Sequence, residues 1–322
     1  MTETDDLHLE CEGPQARIVL SRPKAINALT PAMMAAISEA LHRWADDEDV
    51  DQVAILGEGE RGFCAGADVR AIRQLVLDDP AAAVEFFRVE YAVNELIATY
   101  PKPVVSHVHG IAMGGGLGLA LHATRVVASE DLQLAMPETG IGLFPDVGIT
   151  WQLSHAPGEV GTWLAMTGTT IDAGSAQYAG LVHDVMLPAE MDEEFGAYTD
   201  AQLAHDRAWI DECFTGDDPV AIVRRLEEHG EQRAREAAAT IRAKSPWSVA
   251  VALEQVRRAA RMSDVGEVLA QDLVLATNFV ADSDFVEGVR AQLVDKDRTP
   301  RWRHGRLEDV DPELVRSMFQ PR

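Results

Sequence analysis

Cations are scarce in this chain: 28 Lys and Arg stand against 53 Asp and Glu in 322 residues, a formal net charge of −25. A surface of that sign repels nucleic acid and anionic lipid. It repels an anionic small molecule as well, unless local Lys and Arg oppose the global field. Cysteine is nearly absent. Cys11, Cys64 and Cys213 are odd in number and widely spaced, which indicates neither a disulfide framework nor a zinc site. Long apolar runs are missing too. The longest apolar and glycine-rich run, 111–121, is interrupted by Gly114-Gly115-Gly116 and falls short of the roughly 18 residues a membrane span needs. Residues 1–6 are acidic and polar, unlike the basic, apolar start of a signal peptide or the Arg-rich start of a transit peptide. A cytoplasmic address is the default expectation, with no nucleic-acid or membrane partner.

Several chemical fingerprints are also lacking. The ten histidines contain no HExxH or other metal spacing, so no metal is expected. No GxSxG elbow is present, which speaks against a Ser-His-Asp hydrolase. The glycines at 114–118 form neither a GxxxxGK[ST] loop nor a GxGxxG fingerprint, so a nucleotide-binding reading has little support. His107 and His109 alternate along a strand and read as structural, and Arg224-Arg225 and Arg257-Arg258 as solvated helix faces.

What is present is a strand–helix–strand rhythm followed by helices. Residues 7–20 read as two short strands turning at Gly13-Pro14, and Thr30-Pro31 starts a helix with an apolar stripe at Met33, Ile37, Leu41 and Trp44. Strands are expected at 53–56, 104–108, 125–128 and 132–135, with a loop over 57–66 and helices over 81–99 and 117–123. Beyond about residue 190, helical patterns dominate: 201–213, 219–229, 231–243, 247–262, 265–280 and 284–293. The expectation is an α/β layered core over 1–197 and a C-terminal helical region over 198–322.

Four places could carry chemistry. Cys64-Ala65-Gly66-Ala67-Asp68 and Gly114-Gly115-Gly116 each follow a strand. Glycines there let backbone approach a ligand and leave N–H groups pointing outward, so two such loops could form an oxyanion hole; either alone could be a tight structural turn. Cys64 has no adjoining His and reads as a small, partly buried thiol. The stretch 136–148 sets Glu138 and Asp146 in an apolar, Gly- and Pro-rich loop. Burial would raise their pKa values toward the range useful for general acid–base work. The plain alternative is that Glu138 caps a turn and Asp146 is exposed. Glu90 shares an apolar helix face with Phe86, Val93 and Ile97, so it either lines a pocket or is paired in the core.

In order and spacing, Ser21-Arg22-Pro23-Lys24-Ala25-Ile26-Asn27-Ala28-Leu29, Phe63-Cys64-Ala65-Gly66-Ala67-Asp68 and His109-Gly110-Ile111-Ala112-Met113-Gly114-Gly115-Gly116 resemble the crotonase (enoyl-CoA hydratase/isomerase) superfamily. The stretches 86–94, 98–103, 136–148 and 284–302 are similar to its 3-hydroxyisobutyryl-CoA hydrolase branch, so the resemblance spans nearly the whole chain. It implies a spiral of ββα turns with C-terminal helices. It also implies an acyl-CoA substrate with coenzyme A as part of it, and no separate cofactor.

By the same resemblance, the amides of Ala67 and Gly115 would hold the thioester oxygen. Glu138 and Asp146 would be the catalytic carboxylates, and Glu90 would lie at the acyl pocket. Lys24, Ala25, Ala28, Ala65, Gly66 and Asp68 would line the adenine and pantetheine path. Hydratases of the superfamily carry a second Glu three residues after the central oxyanion glycine, where this chain has Gly118, and Gly where it has Asp146. That contrast favours hydrolysis of a short 3-hydroxyacyl-CoA over hydration. Val89 and Ile149-Thr150-Trp151 depart from the hydrolase pattern and bear on acyl preference. A non-catalytic CoA-binding or scaffold protein is the alternative of another class, and intact Glu138 and Asp146 speak against it. Assembly into a homo-oligomer is left open.

Overall fold

The computed structural model describes residues 6–186 and 201–321. They form two compact units that interleave along the chain. One lies within Met1–Asp68, Arg88–Ala135 and Thr170–Ala201, the other within Val69–Phe87, Met136–Thr169 and Gln202–Arg322. The division is therefore not sequential. The expected boundary at 197/198 lies outside the described residues.

The first unit is built on a sheet. Strands β1 (Leu7–Glu12) and β2 (Gln15–Leu20) form an antiparallel hairpin around Gly13, whose φ of +58° suits glycine. Alternate residues Ala16, Ile18 and Leu20 are fully buried, the period-2 pattern of a strand with one inward face. The helix Pro31–Ala45 starts where Thr30 Oγ1 accepts a hydrogen bond from Met33 N, and it buries Met33, Ile37, Leu41 and Trp44. β3 (Gln52–Gly57) joins β2 in parallel.

Two strand pairs follow. β4 (Val104–Val108) and β5 (Ile111–Met113) lead into the helix Gly115–Ala120. β6 (Arg125–Ser129) and β7 (Gln133–Ala135) lead into a 3-10 turn over Glu138–Ile141. The first strand of each pair extends the six-stranded sheet β1-β2-β3-β4-β6-β8, in which β8 is Asp184–Met186. The second strands pair with each other as a separate two-stranded parallel sheet. This is the ββα rhythm expected from the resemblance.

The second unit is helical. It contains Val69–Asp78, Ile149–Ser154, Val160–Thr167, Gln202–Cys213, Pro219–Glu228, Gln232–Arg242, Pro246–Ala259, Val265–Val280, Ser283–Val289 and Pro312–Ser317. The helix Pro80–Ala98 passes from this unit to the first after Phe87. Some of the acidic excess has a local use, because Asp218, Asp264, Asp282 and Asp311 accept hydrogen bonds from first-turn amides. A carboxylate there satisfies orphan donors and meets the positive end of the helix.

Two expectations are corrected. The helix expected from Leu117 begins at Gly115 and ends at Ala120; tight packing accepts glycine there, since a β-carbon on Gly116 would strike Cys64. Arg225 and Arg257 are not simply solvated. Arg225 Nε donates to Cys213 O at 2.9 Å. Arg257 pairs with Glu159 at 2.8 Å and Asp217 at 3.3 Å and donates to Phe214 O.

Candidate active site

In the sheet unit, Asn27 organises the first glycine loop. It is fully buried at φ +53°. Its Oδ1 accepts from Arg22 N at 2.8 Å, and its Nδ2 donates to Glu58 O and Phe63 O, both at 2.9 Å. Leu29 and Ala67 form a parallel bridge, with Leu29 N donating to Gly66 O and Asp68 N to Leu29 O. Gly66 takes φ +96°, and a β-carbon on it would lie 3.0 Å from Met113 O and 3.1 Å from Gly115 N. A β-carbon on Gly115 would lie 3.2 Å from Ala67 N and run into the Glu90 carboxylate. The amides of Ala67 and Gly115 are thus brought together beside buried Glu90, and neither donates to another described residue. Two convergent, unspent N–H groups are what stabilisation of an oxyanion requires.

The other expected residues of this unit divide by exposure. Lys24, Ala25 and Ala65 are exposed, Ala28 and Asp68 half-buried, and Gly66 buried. Lys24 lines an open surface cavity of about 550 Å³ with Pro23, Glu60 and Arg61. Arg61 donates to the carbonyls of Pro23 and Lys24 at 2.8 and 2.7 Å. Arg22 pairs with Asp6 at 3.3 Å and Asp68 at 3.7 Å. Lys24 and Arg61 supply the local positive charge that an anionic ligand needs on so acidic a protein. Cys64 is fully buried, donates to Asn27 O at 3.1 Å and accepts from Gly66 N. Burial pushes its thiol up to about 12, so it is a packing element of the loop. His109 Nε2 lies 2.8 Å from Gly59 O, and burial lowers the pKa of His107.

In the helical unit, Glu138 opens the 3-10 turn and Asp146 follows in the same loop; each is only 5% exposed. The exposed alternative for Asp146 is thereby overturned. Leu143 N donates to Glu138 O, and Ser245 N to Thr139 O, both at 3.0 Å. The Asp284 main chain packs so closely on Gly142, at φ +73°, that a β-carbon there would collide. Glu138 Oε2 is buried without a hydrogen-bond partner among the described residues. Its pKa is raised well above the usual carboxylate range, first by burial and then by the Asp146 charge; its backbone hydrogen bond and Lys244 oppose the rise. Lys244, whose own pKa burial lowers, has its Nζ 3.4 Å from where a β-carbon of Gly140 would stand. A third acid, Asp272, is fully buried and likewise raised by burial.

Sequence reasoning missed Asn27, Lys244, Gln255 and Asp272. Asp272 carries the signal that singled out Glu90: a lone carboxylate among Leu269, Leu275 and Ala276 on a buried helix face. Nothing local marks Lys244. Among the described residues no group of His, Cys, Asp and Glu is arranged to hold a metal. No helix among them is long and apolar enough to cross a membrane.

The enoyl-CoA hydratase/isomerase family matches residues 15–195 and 188–319. The chain is 36% identical over 334 residues to the mitochondrial 3-hydroxyisobutyryl-CoA hydrolase of Danio rerio, covering 95% of this chain and 87% of that protein. It is 33% identical over 343 residues to the Homo sapiens protein of that name, covering 98% and 89%. Among solved structures, an enoyl-CoA hydratase from Rhodobacter sphaeroides 2.4.1 superposes with a TM-score of 0.93 at 39% identity, covering 98% of this chain and 97% of that one. A carnitinyl-CoA dehydratase from Mycobacterium thermoresistibile gives the same TM-score at 38% identity, covering 99% and 97%. The match along the chain and the ββα architecture agree: the protein belongs to the enoyl-CoA hydratase/isomerase family.

Proposed function

We propose that this protein hydrolyses a short 3-hydroxyacyl-CoA thioester, 3-hydroxyisobutyryl-CoA foremost, to the free acid and coenzyme A. The observation that carries the reading is Glu138: a buried carboxylate with an unpartnered oxygen and a raised pKa, sharing its loop with Asp146. The full-length likeness to proteins named for this hydrolysis supports it. The amides of Ala67 and Gly115 take the thioester oxygen and hold it more strongly as negative charge develops. Glu138 either attacks the carbonyl, forming an anhydride as the C–S bond breaks and the CoA thiolate leaves, with water then cleaving the anhydride to the free acid, or takes a proton from a water that attacks the carbonyl and displaces the same thiolate. Asp146 orients that water or the substrate 3-hydroxyl, and Glu90 binds the hydroxyl or tunes the carboxylates by charge repulsion. Lys24, Ala25, Ala28, Ala65, Gly66 and Asp68 line the coenzyme path. No cofactor is added, because coenzyme A arrives with the substrate.

The test is free CoA release across a panel of 3-hydroxyacyl-CoAs. Glu138→Gln should lower the rate by about 10² to 10⁴, and a variant with full thioesterase activity would sink the scheme. Single turnover in ¹⁸O-water separates the two routes, since label carried into Glu138 requires the anhydride. A place in valine catabolism and a cytoplasmic address belong to the same reading; the hydrolase relatives named above are mitochondrial. Growth on valine and cell fractionation test them. The likeness to solved hydratases favours one second reading, water addition to an enoyl-CoA. Gly118 offers no second carboxylate for it. Crotonyl-CoA hydration, followed beside the free-thiol assay, decides between the two.

A further inference from the structure

The turn that presents Asp146 is held in a conformation its own residues disfavour. Val147 adopts φ +55° and Gly148 φ +74°. Left-handed backbone is costly for a β-branched residue, and such strain persists only where the surroundings over-determine it. Two side chains distant in sequence do so here. Asp272, in the helix Val265–Val280, accepts from Gly148 N through Oδ2 at 2.8 Å. Its Oδ1 accepts from Gln255 Nε2 at 2.7 Å, and that same amide donates to Pro145 O at 2.9 Å. Both side chains are fully buried. They therefore grip the main chain on both sides of Asp146, at the carbonyl before it and at the amide after Val147.

The grip has a cost that a purely structural turn would avoid. Asp272 is buried beside the Asp146 charge, and both burial and that charge oppose its ionisation. Apolar packing could close a turn without placing a buried acid beside Asp146.

We propose that Asp272 and Gln255 are positioning residues for Asp146, fixing the Pro145–Gly148 turn so that its carboxylate is held in place for the reaction. The inference rests on the reading of Asp146 as the acidic partner of Glu138. Neither positioning residue needs to touch a reacting atom.

Three variants test it. Asp272→Leu removes both acceptors at similar size, Asp272→Asn keeps an oxygen for Gly148 N, and Gln255→Met releases Pro145 O. Asp272→Leu should lower kcat about 10²-fold with KM little changed, the scale on which a small misplacement acts. Its Gly148 amide should exchange with solvent at least ~10-fold faster while the Pro246–Ala259 helix keeps wild-type protection. Asp272→Asn should retain Gly148 protection, but its Nδ2 then faces the Gln255 amide that also holds Pro145 O, so part of kcat should be lost. Gln255→Met should lose kcat with KM kept, and it carries the test if Asp272→Leu does not fold. Wild-type kcat in a folded Asp272→Leu or Gln255→Met overturns the proposal. So does a loss of activity that merely tracks global exchange. Gly148 exchange is read without substrate. A wild-type protein that releases no CoA would therefore sink the functional reading, while exchange still decides whether the turn is clamped.

Discussion

In the sheet unit the groups that could hold an oxyanion are main-chain amides, those of Ala67 and Gly115, with the Glu90 carboxylate beside them. In the helical unit the groups available for chemistry are side-chain carboxylates, Glu138 and Asp146. The amides do not titrate, and their placement depends on atoms that are missing: β-carbons at Gly66 and Gly115 would crowd Met113 O, Ala67 N and the Glu90 carboxylate. The carboxylates are held by atoms that are present. The ionisation of Glu138 depends on burial, on the Asp146 charge and on Lys244. The sheet unit should therefore fail when a methyl is added and show little response to pH. The helical unit should fail when charge is removed and respond strongly to pH.

The largest effect that could break this contrast is at Gly115. Gly115→Ala should cost about 10² to 10³ in kcat, the scale for losing one oxyanion donor, with the acid limb of the rate profile unmoved. Steady-state kinetics over pH measure both. A Gly115→Ala enzyme of normal rate would mean that the paired amides do no chemistry.

The electrostatic side is tested at Lys244. Its charge favours the Glu138 carboxylate, so Lys244→Met should raise the Glu138 pKa further. The acid limb of kcat/KM then moves to higher pH, and Lys244→Arg restores it. Asp146, in the same loop, pushes the other way. An unmoved limb in Lys244→Met would detach Lys244 from the site. The raised pKa has a stability sign as well. Between its ordinary 4.5 and its folded value, Glu138 binds a proton more readily folded than unfolded, so stability falls as pH rises through that window. Removing the ionisable group should reverse this. Glu138→Gln, though inactive, should gain on the order of 1 kcal/mol near neutral pH, and the gain should vanish below the window. Thermal unfolding at two pH values reads this out, and an equal or lower Tm near neutrality would contradict a strained ionised Glu138.

How much of this was legible in the sequence follows from what each element depends on. β4 was readable because Val104 to Val108 is rich in β-branched residues and follows Pro101-Lys102-Pro103. The helix Val265–Val280 was readable from its apolar period. β8 is only Asp184–Met186 and the helix Ile149–Ser154 only six residues, too short to show a period, and the helix Val160–Thr167 is wholly buried, which erases amphipathicity. The glycine loops and paired carboxylates stood out as local patterns. Asp272 shows such a pattern on its own helix, but nothing local ties it, Gln255 or Lys244 to the loop at 136–148; Gln255 and Asp272 lie on later helices and Lys244 in the bend between two helices, and only tertiary packing brings them there.

The smallest predicted effect concerns the thiol within the sheet unit's first glycine loop. Cys64 lies among the residues that position Ala67, so its position alone would suit a nucleophile. Its environment does not: the thiol is fully buried, donates to Asn27 O and is pushed up to about 12. A thiol is reactive as its anion and when accessible, and neither condition holds. Cys213 is buried as well, whereas Cys11 is exposed. Native protein treated with iodoacetamide at pH 8 should therefore be alkylated at Cys11 first and keep its full rate, with Cys64 modified only after unfolding. Peptide mass spectrometry and the CoA-release assay follow the two quantities on one sample. Rapid labelling of Cys64 with parallel loss of activity would contradict its place as an inert packing element of the loop that positions Ala67.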